Sequence, residues 1–280
     1  MGLPFWFLSY AFYLNSSNYT HHDLAEIFKR ALLHYEFAET HPGASFHEQA
    51  FHVPHPPLKL QRLHSRRGLK APNMHMVQIP EKYDLRESIG PLLGPVINQG
   101  HCNSCFAITV AEQLNYLAMK KAPTIDYTTL MECTPNTLGC SGGLMENVYK
   151  WGGPYSGSPR SGCNGLTGLR VKDYVVISDL EGGDVEPHLA AAVYQYGPIP
   201  VGIDSTGSRF LTYKSGVIQP GECNKVPNHA VVVVGYTPEF WIVKNSWGDH
   251  WGEDGYAKIS RGHDTCGISS YASFATQIEY

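Results

Sequence analysis

The residues best suited to chemistry lie in Gln99-Gly-His-Cys102-Asn-Ser-Cys105-Phe106, where two thiols stand three positions apart. A Cys-x-x-Cys pair serves three chemistries. As zinc ligands the pair needs a second Cys or His pair at similar spacing, and none follows. As a thioredoxin-like dithiol it needs both thiols at one helix N-terminus within a βαβ unit. In the third reading the two cysteines have different fates, Cys102 bridged and Cys105 free. The chain has 7 cysteines, and an odd count favours the third reading, since six can pair and one remains. The thiolate is the nucleophile, and a helix N-terminus stabilises negative charge. An enzyme also needs a base and a group that orients it. His229 and Asn245, 124 and 140 residues beyond Cys105, are the candidates. No metal-ligand set accompanies them, and no metal or other cofactor is expected.

Regular elements can place all three residues. Cys105 opens the run 105–121, with Ala107, Val110, Ala111, Leu114, Leu117 and Ala118 on a common face, which predicts one long buried helix. Lys120 and Lys121 fall at the end where the helix dipole favours positive charge, and Pro123 closes it. The later half alternates like sheet over 171–177, 199–203, 230–236 and 241–244. The connection Thr237-Pro-Glu-Phe240 makes the last two runs a hairpin, so His229 and Asn245 meet at its open end. A lone His before a strand is usually structural; a His and an Asn joined by a hairpin, with a helix-opening Cys elsewhere, form a stronger constellation. Helices followed by strands make an α+β pattern, without internal repeats.

The 280 residues suffice for one large domain or two small ones. Charged residues are 16%, and 28 Gly with 19 Pro argue against a coiled coil. A formal charge of −4 gives no reason to expect nucleic acid as a partner. Residues 1–19 begin with an apolar run about as long as a signal-peptide core and too short to span a bilayer, and read as a degenerate signal segment. Asn15-Ser-Ser and Asn18-Tyr-Thr are glycosylation sequons that suit a secretory route. No later run is apolar enough for a transmembrane helix, and no membrane partner is expected. Over 20–40, Thr20 and Asp23 have capping-box-like spacing ahead of Leu24, Ile27, Phe28, Ala31, Leu32 and Tyr35, an amphipathic helix stopped at His41-Pro42-Gly43. From His52 to Met76 a Pro-rich stretch with Arg66-Arg67 reads as an exposed linker or cleavable segment. The globular part begins at Ile79.

Together these motifs resemble the papain-like cysteine peptidases, nearest the cathepsin L-like branch and, within it, cathepsin O-like sequences. Besides Cys105, His229 and Asn245, the resemblance rests on Ile79-Pro-Glu-Lys-Tyr-Asp-Leu-Arg86 as a mature N-terminus and on Gly139-Cys-Ser-Gly-Gly143. It continues through Asn228-His-Ala230 and Lys244-Asn-Ser-Trp-Gly248, with Trp251-Gly and Asp254-Gly-Tyr256, and runs through 79–280. It implies a two-lobed α+β fold, a helical lobe around a central helix and a β-barrel-like lobe, with the active-site cleft between them. It makes Cys105 the nucleophile, ion-paired with His229, which later protonates the leaving amine. Asn245 would hold the imidazole under Trp247, while the side-chain amide of Gln99 and the backbone N–H of Cys105 would form the oxyanion hole. Gly142 and Gly143 would line the cleft beside an extended substrate, and Leu144, Met145, Ala230 and Tyr271 its second subsite. The same resemblance pairs Cys102 with Cys140, Cys133 with Cys163, and Cys223 with Cys266.

The activity implied is that of a thiol-dependent endopeptidase acting through an acyl-enzyme at acidic pH. The implied protein is a monomer, lysosomal or secreted, acting on protein or peptide substrates and open to cystatin-like inhibitors. It would be made as a zymogen, with 20–78 as propeptide and inhibitor and 79–280 as catalytic domain. No insertion with paired histidines resembles the occluding loop of cathepsin B. Phe106 stands where the family usually has Trp, and His101 and Asn103 replace the commoner Ser and Gly, so repacking near the nucleophile is expected. A catalytically weak or silent papain-fold binding protein is the alternative. A thiol oxidoreductase is third, and it predicts a Cys102–Cys105 disulfide.

Charge divides the chain in the same place. Nine of the 14 histidines lie between His21 and His75. Residues 21–78 carry 7 basic and 5 acidic side chains, a net +2, against 14 and 20 over 79–280, a net −6. The two parts attract weakly at neutral pH, whereas protonating the nine histidines below about pH 6.5 makes the first part repel itself. Two readings stand together: a propeptide that loosens in an acidic compartment, with cleavage near Arg66-Arg67 or before Ile79, and a loosely ordered segment in which histidine is merely common.

Overall fold

The computed structural model describes residues 78–119, 124–152, 163, 169–177 and 185–279. The signal segment, the sequons at Asn15 and Asn18, the propeptide helix with its histidines, and Lys120, Lys121 and Pro123 lie outside the described residues.

Strand β1 (Tyr83–Asp84) leads into helix α1 (Leu85–Ile89), where the Asp84 carboxylate accepts from the Arg86 backbone N–H at 2.9 Å and caps the first turn. Helix α2 (Cys105–Ala118) follows, then α3 (Tyr127–Cys133) and α4 (Met145–Trp151). Phe106, Ala107, Val110, Ala111, Leu114 and Ala118 of α2 pack with Leu130 and Met131 of α3 and Met145, Val148 and Trp151 of α4 in one apolar cluster. This helix stops short of the Lys121 predicted for it. Met119 turns left-handed (φ 41°), and its N–H bonds back to the Asn115 and Tyr116 carbonyls.

The rest of the chain builds β2 (Arg170–Ile177), α5 (Glu186–Tyr196), β3 (Ile199–Ile203), α6 (Ser208–Leu211), β4 (Val217–Ile218), β5 (His229–Tyr236), β6 (Phe240–Lys244), β7 (Tyr256–Ser260) and β8 (Ala272–Glu279). The strands lie in the order β2-β8-β3-β5-β6-β7-β4, with β1 added to β5. The end strands β2 and β4 do not pair with each other, so the sheet is an open strip and its barrel-like lobe is not a closed barrel. All of β5 is buried, which explains its unbroken His-Ala-Val-Val-Val-Val-Gly-Tyr run in place of an alternating one. Strands β5 and β6 form the expected antiparallel hairpin, with Val233 opposite Val243, Tyr236 opposite Trp241, and the Thr237 N–H donating to the Phe240 carbonyl at 2.8 Å. Gly235 is required where β1 arrives: a Cβ there would stand 2.6 Å from the Tyr83 carbonyl oxygen.

The α+β pattern thus resolves into two apolar clusters. One surrounds α2; the other joins α5 and α6 to β3, β5, β6 and β7. Ala230, next to His229, belongs to the helical cluster, whereas Val231 to Val234 belong to the sheet cluster.

Candidate active site

Cys105 is the free cysteine among the described residues, half-buried at the first position of α2. Cys102 is bonded to Cys140, Cys133 to Cys163, and Cys223 to Cys266. The Cys102–Cys140 bond leaves no place for a Cys102–Cys105 dithiol. It also ties the nucleophile's approach to the loop at 139–143, where the Asn103 N–H donates to the Cys140 carbonyl at 3.0 Å. The backbone around Ser104 then bends into the helix, its carbonyl accepting from Ala107 and Ile108.

Helix position alone does not ionise this thiol. Burial pushes the Cys105 thiol up, while the backbone N–H groups of Ala230, Phe106 and Cys105 itself pull it down. The helix start acts as predicted, but burial outweighs it. The Ala230 contact sets the sulfur beside the first residues of β5, so any further assistance must come from there.

His229 supplies the candidate. It opens β5, Asn245 follows β6, and across the hairpin the imidazole Nε2 lies 2.7 Å from Asn245 Oδ1. Asn245 Oδ1 also accepts from the Ser246 N–H at 2.8 Å, which fixes the amide orientation, since a flipped amide would set donor against donor. Nε2 therefore carries a hydrogen, and Nδ1 is the ring nitrogen left to take a proton. The Trp247 ring lies 4.9 Å from the imidazole, tilted 30°, with Phe210 and Trp251 edge-on to Trp247 at 5.3 and 5.5 Å. These rings are buried and keep water from the His229–Asn245 hydrogen bond.

Gln99 is held beside them by a short ladder. Asn98 bridges to Trp247, the Gln99 N–H donates to the Ser246 carbonyl at 2.9 Å, and Ser246 Oγ donates to Gln99 Oε1 at 2.6 Å. Gln99 Nε2 donates one hydrogen to the Cys102 carbonyl at 2.8 Å and keeps a second for another acceptor. Ser246 is a residue that sequence reasoning missed; inside the Lys244–Gly248 motif, its pairing with a residue 147 positions earlier gives no local signal.

The remaining sequence-predicted residues divide into groups. Gly142 (φ 109°) and Gly143 lie in the disulfide-tied loop, and a Cβ on Gly143 would stand 2.7 Å from the Phe106 ring. Phe106 is itself buried and occupies the space behind that wall. Met145, Ala230 and Tyr271 are buried together in the helical cluster. Leu144, half-buried just before α4, lies outside that cluster. Trp247 belongs to the sheet cluster over the imidazole. Among the described residues no group of three or more His, Cys, Asp or Glu is placed to hold a metal ion.

Residues 79–276 match the model of the papain family of cysteine proteases. Cathepsin L of Sarcophaga peregrina is 34% identical over 272 residues, covering 88% of this chain and 76% of that protein. An Arabidopsis thaliana protein described as the probable cysteine protease RD19D is 35% identical over 250 residues, 75% of this chain, and the match spans 65% of its own length. Among solved structures, procathepsin L2 from the Tenebrio molitor larval midgut shares 34% identity at a TM-score of 0.60, over 72% of this chain and 69% of that one. The ragweed pollen cysteine protease Amb a 11 in its proform matches at a TM-score of 0.61 and 30% identity, over 72% of this chain and 66% of that one. The chain belongs to the papain family of cysteine proteases.

Proposed function

We propose that this protein is a thiol-dependent endopeptidase that hydrolyses peptide bonds through an acyl-enzyme. The observation that carries the reading is the convergence of the free Cys105, set against the Ala230 backbone, with the His229–Asn245 pair at 2.7 Å. In this mechanism His229 Nδ1 takes the thiol proton, and the thiolate attacks the scissile carbonyl. The oxyanion accepts from the Cys105 N–H and the spare Gln99 Nε2 hydrogen, and the imidazolium then protonates the leaving amine. A water deprotonated by His229 hydrolyses the thioester. Asn245 holds the ring in the required tautomer throughout, and Trp247 shields that bond.

Gly142 and Gly143 bind the extended substrate through backbone, and Leu144, Met145, Ala230 and Tyr271 line an apolar second subsite that favours aliphatic side chains over Arg or large aromatics. Production as a zymogen, with 20–78 as inhibitor, is supported by the proforms among the similar structures. Glycosylation at Asn15 and Asn18, lysosomal or secreted residence, activity at acidic pH, a monomeric state and sensitivity to cystatin-like inhibitors complete the reading.

The test is to incubate the full chain at pH 5 with reductant, follow release of the front segment, and assay peptides with Leu, Arg or Phe at the second-subsite position. Turnover with preference for Leu, and labelling of Cys105 by a thiol-directed epoxide, are expected. A processed chain with neither turnover nor labelling is a silent binding protein, and strong Arg preference overturns the subsite assignment.

A further inference from the structure

Beneath the site, the nucleophile's own helix carries two adjacent polar residues, the half-buried Glu112 and the buried Gln113, that none of the proposed chemistry uses. Glu112 stands seven residues after Cys105, two turns and about 10 Å along α2. Its Oε1 accepts from Lys244 Nζ at 2.9 Å, and the lysine side chain is fully buried. Lys244 is the last residue of β6, immediately before Asn245. The same ammonium donates to the carbonyls of Leu93, Gly94 and Pro95 at 2.7, 3.2 and 3.0 Å. Burial of a lysine is unfavourable unless its hydrogens are all taken, and here three hydrogens are shared among four acceptors, Glu112 and the three carbonyls. On an adjacent face of α2, Gln113 is buried and faces β8. Its Oε1 accepts from the Ala275 N–H at 2.9 Å and from Tyr149 Oη at 2.6 Å, and its Nε2 donates to the Ala275 carbonyl at 3.0 Å. Burial pushes the Glu112 carboxyl up and Lys244 opposes the shift. The ionisable neighbours on the remaining elements are Tyr256 of β7, the Arg86 guanidinium 5.0 Å over its ring, and Asp84, which holds Arg86.

Apolar packing alone does not fix how far α2 slides along the sheet or how it is turned, because hydrophobic contact is non-directional. Directional bonds do. We propose that the Glu112–Lys244 ion pair is a positioning device that sets the height of α2 against β6, and so the placement of Cys105 relative to the His229–Asn245 pair. Gln113 fixes the rotation of the same helix from an adjacent face. The ion pair joins the helix that carries the nucleophile to the last residue of the strand, next to the orienting asparagine, with no intervening side chain. This role rests on the peptidase reading, in which those two elements act on one substrate.

Three variants of the full chain, activated at pH 5 with reductant, test it. Glu112→Gln leaves the Lys244 charge buried and unpaired, and a low folded yield is expected. Glu112→Leu/Lys244→Met removes both charges and keeps apolar volume, so a folded protein is expected. In that double variant kcat and the rate of Cys105 alkylation by iodoacetamide should fall about 10–100-fold, with KM within about twofold, because misplacement by about 1 Å is enough to cost that much. A folded double variant with the wild-type kcat and alkylation rate overturns the proposal, since a purely structural pair moves neither once folding is kept. If the double variant does not fold, Glu112→Asp decides. That change keeps both charges and shortens the link by one methylene; a lowered kcat at unchanged KM supports positioning, and a wild-type kcat refutes it. The wild-type chain is measured in parallel. Absence of turnover and alkylation there refutes the peptidase reading itself, whereas normal wild-type values with unchanged folded variants refute only the positioning role.

Discussion

Cys105 and His229 reach the site from regions built in different ways. Cys105 sits where a loop becomes a helix, held by the Cys102–Cys140 bond and by backbone bonds to a glycine-rich turn. His229 opens a strand buried along its whole length, and its partner directly follows the neighbouring strand of the same hairpin. The first region presents the reactive atom yet buries it, so the thiol is pushed up. The second fixes an imidazole by a 2.7 Å hydrogen bond, an amide whose orientation is set, and a tilted indole 4.9 Å away. Reactivity in this account therefore belongs to neither region alone. In the proposed mechanism the helix supplies the nucleophile, whose thiol burial pushes up, and the sheet supplies the base.

The largest expected effect comes from removing the sheet's contribution. His229→Ala should lower kcat by about 10⁴-fold or more with the fold retained, because the nucleophile and base act as one unit; single-turnover acylation measures it. A smaller loss is expected from the ladder that joins the regions. Gln99→Ala removes one oxyanion donor and should lower kcat about 10²–10³-fold with little change in KM. The smallest effect on catalysis separates two disulfides of similar span, 38 and 43 residues. In the loop-entropy picture each contributes about 4 kcal/mol, so Cys102→Ala/Cys140→Ala and Cys223→Ala/Cys266→Ala should lower thermal stability alike. Only the first pair anchors the nucleophile's loop, and only its loss should lower kcat in protein that remains folded. Equal kcat losses would erase the distinction between the two regions.

The sequence makes the hairpin legible because its signal is local: two apolar runs, a Pro-containing turn, and His229 and Asn245 at matched ends. The start of α2 is legible for the same reason. Strand β8 is not, because its Ala272-Ser-Phe-Ala-Thr stretch holds few β-branched residues, although it lies in the sheet between β2 and β3. There small side chains suit a strand pressed against α2, and propensity yields to packing. The open sheet is also invisible in the sequence, since closure depends on how β2 and β4 are placed. Nothing local in the sequence links Lys244 to Glu112, which the fold joins across 132 positions. Ser246 and Gln99 are joined in the same way. What was missed is the set of long-range polar pairs that position the site, which no spacing rule encodes.

The most direct test of the account is the pH profile of Cys105 alkylation in the activated wild-type chain and in His229→Ala. Burial raises the thiol, so without the imidazole the thiolate should appear only above the ordinary thiol range. With His229 present, thiolate and imidazolium form together, and rapid alkylation should extend down to acidic pH. The account predicts a profile displaced to higher pH by the substitution. Identical profiles in the two proteins would show that Cys105 ionises without the sheet's help and would contradict it.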